Sequence, residues 1–337
     1  MEKQVIDLKT LLLKKSEVMS LLDMNGVIAS VEEGYRAYCS GQVIQPDIVS
    51  IEIPEYNGEM DVKAGYSKST RMISVKCASG FYDNQKKTDL PNSLSTVLLF
   101  DGSTGALLCI MDGSLITGYR TGAAGAVSAK LLARKDSKTI GVIGTGEQAR
   151  MQIRALKAVF DIESIHVWGR SADQLYLYCR EIGAETKCAV KSCETPEAAV
   201  RDADILITTT PGKTPLIKKE WIRPGTHIIA VGADMEGKQE LDAALFEGAK
   251  IVVDNRNQCM TRGETQNPLK QGVIKEEDIY CEIGEILLGQ KPGRESDLEI
   301  TIFDTTGMAV QDNVTAVQIY EQALALKLGS YYDFLNQ

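Results

Sequence analysis

The chain has 337 residues, 44% hydrophobic and 25% charged, with 37 basic against 46 acidic side chains and a formal net charge of −9. That length and balance predict two soluble globular domains with a sizeable core. They exclude a protein that holds nucleic acid or an anionic membrane through bulk positive charge.

The opening stretch, "MEKQVIDLKTLLLKKSEVMSLL", is amphipathic and interrupted by charge, unlike a signal peptide. No apolar run in the chain is long enough for a membrane span. Residues 16–40 carry Val18, Leu21, Leu22, Val27, Ile28 and Val31 at helical spacing, which predicts a helix. Between 47 and 110 the pattern changes. "IVSIEIP", "MDVKAGY", "RMISVKCAS", "STVLLFD" and "GALLCIM" are short β-rich runs divided by Gly, Asn, Asp and Lys, and they predict a largely antiparallel sheet. "LITGYRTGAAGAVSAKLLAR" then predicts a helix whose small residues let it lie close to another backbone.

From 138 strand and helix alternate. "KTIGVIG" precedes the helix "EQARMQIRALKAVF", and "SIHVWG" precedes "SADQLYLYCREIG". "CAVKSC", "TPEAAVRDA", "DILITTT", the strand 226–231 and "AKIVVDN" continue the rhythm of a parallel doubly wound sheet. "DNVTAVQIYEQALALKLG" predicts a final helix with Asp312 as its N-cap. The eight cysteines contain no C-x-x-C pair, and His166 and His227 are the only histidines. A metal site is therefore not expected, and the thiols read as core filler of a reduced, cytoplasmic protein.

The sharpest local signal is Gly144-Thr-Gly146-Glu-Gln-Ala149, a G-x-G-x-x-A that leaves a predicted strand and opens a predicted helix. Gly144 permits a tight turn, Gly146 lets backbone approach a pyrophosphate, and Ala149 is small enough for helix and strand to pack. The helix N-terminus offers free N–H groups and a positive dipole end to phosphate. Gly144, Thr145, Gly146, Glu147 and Gln148 are thus expected at a dinucleotide. An NAD site usually adds an acid at the tip of the second strand, for the ribose hydroxyl. Here that tip reads Gly169-Arg170-Ser171. Arg170 suits a 2′-phosphate and Ser171 can donate to it, so NADP(H) is favoured, with NAD(H) as the alternative. A second feature is "THIIAVGADMEGKQELD": the predicted strand over 226–231 ends just before Asp234, at the edge where open α/β sheets bind ligands.

Four stretches together resemble the ornithine cyclodeaminase/μ-crystallin family: "LITGYRTGAAGAVSAKLLA", "GVIGTGEQA", "VGADMEGKQELD" and "EIGEILLGQKPGR…EITIFDTTGMAVQD". The resemblance covers nearly the whole chain. It implies an α/β architecture in which a Rossmann-type doubly wound parallel sheet (129–312) is inserted into an α+β substrate and dimerisation domain (1–128 plus 313–337). It also implies a homodimer and hydride transfer at an α-carbon bearing nitrogen. By the same resemblance Arg120 clamps the substrate carboxylate and Thr121 belongs to the cofactor set. Lys76 is the active-site lysine, contacting carboxylate or imine and serving in proton transfer. Asp234 is the catalytic aspartate. Lys238, Glu240 and Asp242 beside it are expected to be solvated loop charges.

The chain departs from the family pattern at two places. "IQPDIVSIE" lacks the arginine often found in the first strand. Lys63 stands where ornithine-processing members carry an acid, and a lysine there repels a second ammonium and attracts a second carboxylate. The segment "SGFYDNQKKTDLPNSLSTVLLFD" looks like the branch containing iminosuccinate reductases. The expected function is an NAD(P)(H)-dependent imine reductase or amino-acid dehydrogenase acting on a small imino or amino acid, such as iminosuccinate/aspartate or alanine. The alternatives are an ornithine cyclodeaminase and a non-catalytic crystallin-like nucleotide binder.

Overall fold

Alternating side chains in the first third of the chain and strand–helix alternation in the middle build two different sheets. The computed structural model describes residues 9–334, so the first eight residues of the amphipathic opening and the last three of the expected terminal segment lie outside it.

Along the chain, β1 (Thr10–Leu13) precedes α1 (Lys15–Leu21) and α2 (Met24–Cys39). A single helix over 16–40 was expected. Leu22 is extended instead, and Asp23 caps α2 by accepting a hydrogen bond from Gly26 N at 2.8 Å. Next come β2 (Val43–Ile44), β3 (Val49–Ile53), β4 (Gly58–Ser67), β5 (Met72–Phe81), α3 (Asn84–Lys87), β6 (Ser93–Asp101) and β7 (Leu107–Asp112). α4 (Gly113–Leu132) leaves β7 directly. Alternation follows: β8 (Thr139–Ile143), α5 (Glu147–Val159), β9 (Ser164–Trp168), α6 (Ala172–Thr186), β10 (Ala189–Ser192), α7 (Pro196–Val200) and β11 (Ile205–Thr208). Then come β12 (Lys213–Ile217), β13 (His227–Ala230), β14 (Gln239–Leu241), β15 (Lys250–Val253), α8 (Arg256–Arg262), α9 (Gln266–Lys270), β16 (Ile279–Glu282), α10 (Ile283–Leu287) and β17 (Thr301–Asp304). α11 (Ala309–Leu326) and β18 (Ser330–Tyr332) complete the described chain.

Two compact units result, Met1–Arg120 with Met308–Gln337, and Thr121–Gly307. The boundaries expected at 128/129 and 312/313 each move toward the N-terminus. From Thr121 onward α4 packs within the second unit: Gln152 Nε2 donates to Thr121 O at 2.8 Å, and Ser128 Oγ lies 3.1 Å from His227 Nε2.

Among the described residues, the first unit is built on an eight-stranded sheet in the order β18-β1-β7-β6-β5-β4-β2, with β3 also paired to β4. Every pair is antiparallel except β1 with β7. Leu11, Leu13, Val97, Leu99, Cys109 and Met111 pack against Ala316, Val317, Ile319 and Ala323 of α11. Directly opposed residues share a face. The registers Lys63↔Lys76 and Lys76↔Val97 therefore put both lysines on the face that carries this core. The opposite face carries the row Ala64, Val75, Leu98 and Ile110. On that side β3 leaves Val49 and Ile51 58% and 49% exposed.

α11 starts earlier than expected, and Asp312 is not its N-cap. Met308 is the cap residue, and the Gln311 side chain accepts from Met308 N at 2.6 Å. Asp312 lies in the first turn, buried, with its carboxylate committed elsewhere.

In the second unit the main sheet runs β10-β9-β8-β11-β13-β17-β15-β16 and is parallel throughout. Ile143, Leu206, Ile228, Ile251, Val253 and Ile302 belong to its core. β12 and β14 form a separate two-stranded sheet. These two, with β16 and β17, were not predicted: runs of three to five residues with mixed polarity carry too little period to stand out. Among the described residues, no helix is long and apolar enough to cross a membrane, and no group of three or more His, Cys, Asp or Glu could hold a metal ion.

Candidate functional site

In the second unit, β8 ends in a turn whose geometry admits only glycine at its first position. Gly144 has φ +118°, and a Cβ there would meet Thr209 Oγ1 at 2.5 Å. Gly144 N donates to Trp168 O at 2.9 Å, which joins the turn to the end of β9. Gly146 is the N-cap of α5, and a Cβ on it would meet nothing within 4 Å. The turn thus faces open space with the first N–H groups of a 13-residue helix behind it. Those are the requirements for a pyrophosphate. Ala149 is fully buried under α6, where Tyr178 Oη donates to its carbonyl at 3.1 Å. Thr145 packs against Gly169, Glu147 is exposed, and the Gln148 Oε1 is enclosed without a partner among the described residues.

Arg150 was not singled out in the sequence. Its Nη1 donates to Thr145 O at 2.6 Å and to Gly146 O at 3.1 Å, while its Nε bonds Glu181 at 2.9 Å and its guanidinium lies 5.0 Å from the Tyr178 ring centroid. Anchoring those two carbonyls fixes the peptide planes of the turn. In a trans peptide the N–H points opposite the C=O, so the Gly146 and Glu147 N–H groups are directed away from Arg150. The signal was an arginine one helical turn beyond the second glycine.

Arg170 and Ser171 follow β9. Arg170 is exposed and has no side-chain partner among the described residues. Ser171 is the N-cap of α6, accepting from Gln174 N at 3.4 Å. No carboxylate stands at this tip. Thr121 is buried in the second unit.

β13 runs from His227 to Ala230, and Asp234 follows in the loop beyond its C-terminal end. The Asp234 side chain is 50% exposed, and Lys238 Nζ pairs with its Oδ1 at 2.6 Å. Arg262 Nε donates to Asp234 O at 3.1 Å, and Gln266 both accepts from Gly237 N at 2.8 Å and donates to Met235 O at 3.2 Å. Side chains from α8 and α9 therefore hold the backbone of the loop.

The expectation of solvated charges around Asp234 is corrected at three residues. Lys238 is half-buried and paired with Asp234. Asp242 caps a short turn, accepting from Ala244 N at 3.0 Å. Glu240 is fully buried on β14. Its Oε1 takes Thr210 N and Thr210 Oγ1, and its Oε2 takes Gly232 N at 3.0 Å. Two further enclosed acids continue this pattern. Glu264 accepts from Glu240 N and Leu241 N, and Asp304 accepts from Glu264 N, Thr265 N and Thr265 Oγ1. Burial pushes the Glu240 and Asp304 carboxyls up to about 7, and burial together with the nearby Glu240 charge drives Glu264 upward as well. Glu240 thus substitutes for water around the backbone that follows β11 and β13, Glu264 does so along β14, and Asp304 does so at the start of α9.

In the first unit Lys76 lies inside β5, 1% exposed. Its Nζ is 2.8 Å from both carboxylate oxygens of Asp312. Arg120, 5% exposed on α4, sends Nε to Asp312 Oδ1 at 3.0 Å, and its Nη1 is 3.5 Å from Gln311 Oε1. Gln311 Nε2 donates to Tyr35 Oη at 2.9 Å. Lys63 stands opposite Lys76 on β4. The fold thus brings Lys63, Lys76 and Arg120 together and adds Asp312, the acid read from sequence as a cap. Burial pulls the Lys76 ammonium down to about 7. Arg120 and Lys63 push the same way, and Asp312 opposes them. An amine poised near neutrality beside a guanidinium fork can bind a carboxylate and exchange a proton.

The profile of the ornithine cyclodeaminase/mu-crystallin family matches residues 8–327. Three solved structures are similar over nearly the full length of both chains. An archaeal alanine dehydrogenase, a dimer with bound NAD, is 38% identical with a TM-score of 0.92, covering 97% of this chain and 100% of its own. The Thermococcus litoralis Δ1-pyrroline-2-carboxylate reductase, in complex with NADH and L-proline, is 38% identical with a TM-score of 0.92, covering 95% and 99%. The Paracoccus denitrificans iminosuccinate reductase, in complex with NAD+, is 31% identical with a TM-score of 0.90, covering 97% and 100%.

Proposed function

The chain belongs to the ornithine cyclodeaminase/mu-crystallin family, and from that premise we propose that it is a nicotinamide-dependent imine reductase or amino-acid dehydrogenase acting on a small α-imino acid. The observation that carries the reading is the pair of buried cations, Lys76 and Arg120, gathered on one carboxylate in the first unit. The glycine turn at Gly144 and Gly146 in the second unit supports the dinucleotide. All three similar structures are named for imino- or amino-acid oxidoreductases, and they hold NAD, NADH with L-proline, and NAD+ respectively.

When bound, the nicotinamide supplies or accepts a hydride at the α-carbon. The residues of this chain do the rest. Arg120 and Lys76 hold the α-carboxylate and so orient the α-carbon. In the reductive direction the C=N bond becomes C–N as hydride reaches carbon, and the nitrogen gains a proton. The Lys76 ammonium is the donor within the first unit, and Asp234 is the second unit's own candidate for proton handling. Lys63, next to Lys76, supports a second carboxylate on the substrate, as in iminosuccinate and aspartate. Arg170 and the absence of an acid at 169–171 support NADP(H) over NAD(H). The apolar row on the free sheet face, with Val49 and Ile51, supports a homodimer.

The test is to mix the protein with NADPH or NADH, ammonia and a panel of 2-oxo acids, and to follow nicotinamide absorbance. Consumption dependent on oxaloacetate or pyruvate is expected. Ammonia release from ornithine with catalytic NAD+ and no net reduction would instead make it a lyase. Sedimentation should give a dimer that Ile51→Lys converts to monomer.

A further inference from the structure

Asp312 is the buried charge of the first unit that the proposed reaction has not yet used. It lies 236 positions from Lys76 and 192 from Arg120 in the sequence, and its carboxylate meets both. α11 delivers it from the first helical turn, and the neighbouring Gln311 is itself held by Met308 N and Tyr35 Oη. The charged groups facing Lys76 within the unit are Lys63 from β4, Arg120 from α4 and Asp312 from α11. With Lys76 itself, three of the four groups are cationic. Buried like charges repel and shed protons unless an anion lies between them.

We propose that Asp312 is the positioning residue of this site: it is the counter-ion that keeps Lys76 protonated and both cations aimed for an incoming carboxylate. The inference rests on the reading of the site given above. Asp312 does not touch the substrate in this scheme; it acts through Lys76 and Arg120.

The physical consequence concerns one proton. Lys76 serves as an ammonium whether it binds carboxylate or delivers a proton to the imine nitrogen. Reductive activity is therefore lost as pH rises and that ammonium deprotonates. Burial, Arg120 and Lys63 all favour the neutral amine, and Asp312 is the group that opposes them. Asp312→Asn keeps the shape and removes the charge. An opposite charge at this range moves a pKa by about one to three units, so the high-pH limb of kcat/KM should move to lower pH by that amount.

The experiment uses the full chain and a preformed cyclic imino acid, which removes ammonia and its own titration from the assay. Wild type and Asp312→Asn are compared for kcat/KM against pH, with Lys76→Met to identify the limb. The expected result is a limb that shifts down in Asp312→Asn and is missing in Lys76→Met. A folded Asp312→Asn with an unmoved limb overturns the proposal, whatever its residual rate. If Asp312→Asn fails to fold, the same substitution is made in Lys76→Met. Folding restored by removing the cation supports the counter-ion role, and equal failure in both backgrounds overturns it. A wild type without turnover on any imino acid rejects the functional reading itself, a different outcome from an unmoved limb in an active enzyme.

Discussion

Lys63 and Lys76 stand directly opposite each other across β4 and β5, thirteen residues apart in the chain and paired in the sheet. Two ammonium-bearing side chains on one face repel, and the Asp312 carboxylate beside Lys76 offsets part of that repulsion. Lys63→Met is expected to raise KM for oxaloacetate in the reductive assay by about 10- to 100-fold, the range of a charge-assisted hydrogen bond. KM for pyruvate should change less than about threefold on the same principle. Equal effects on the two oxo acids would remove Lys63 from side-chain recognition.

Arg150 and Arg170 serve the dinucleotide in separable ways. Arg150 holds the carbonyls of Thr145 and Gly146, so Arg150→Met frees the turn and should weaken NADH and NADPH by the same factor, about tenfold. Arg170 lies exposed beyond β9, so Arg170→Ala should weaken NADPH by about tenfold and leave NADH unchanged. Fluorescence titration of both cofactors reads the two patterns. Parallel losses in both variants would reject the 2′-phosphate role.

Asp234 is half exposed and paired with Lys238, while its backbone is held by Arg262. Asp234→Asn should therefore preserve the loop and cofactor affinity yet lower kcat by about 100-fold or more, the usual range for a lost proton-handling group. Steady-state kinetics together with cofactor titration separates the two quantities. Unchanged turnover would place the residue outside the mechanism.

His227 provides a pH test of the second unit. It is fully buried between Ser128 and Thr301, and burial, with Arg294 nearby, lowers it from the ordinary imidazole value to about 3. The unfolded chain takes up this proton as pH falls below about 6.5, and the folded chain does not. The contribution to stability is thus complete above that pH and is lost as pH falls toward 3. Urea unfolding between neutral and mildly acidic pH should give wild type a steeper acid loss than His227→Gln, by up to about 1.4 kcal/mol per pH unit. Identical slopes would show that the imidazole is not held neutral.

The cofactor turn was legible because its requirement is local. A glycine at positive φ, a helix start and a small residue one turn on fall within six consecutive residues, so the order 144–149 carries the whole device. Lys76, Arg120 and Asp234 were found through resemblance, and their surroundings were not visible in it. Asp312 looked like a cap because capping is judged from neighbours in sequence, and the helix in fact begins at Ala309. Glu240 looked solvated because it follows Lys238 in a charged stretch. Its burial is decided by Thr210, Gly232 and Glu264, which are contributed by other elements.

By itself the sequence determined the two kinds of sheet, the dinucleotide turn and the residue types available for chemistry, since period, turn composition and charge are written in neighbouring positions. Only the tertiary structure decided which charges share one environment. The Lys63↔Lys76 register and the meeting of Lys76, Arg120 and Asp312 depend on strand pairing and on a helix that returns from the far end of the chain. Removal from water then turns an ordinary lysine into one poised near neutrality, because the cost of a buried charge depends on what surrounds it in space rather than in sequence.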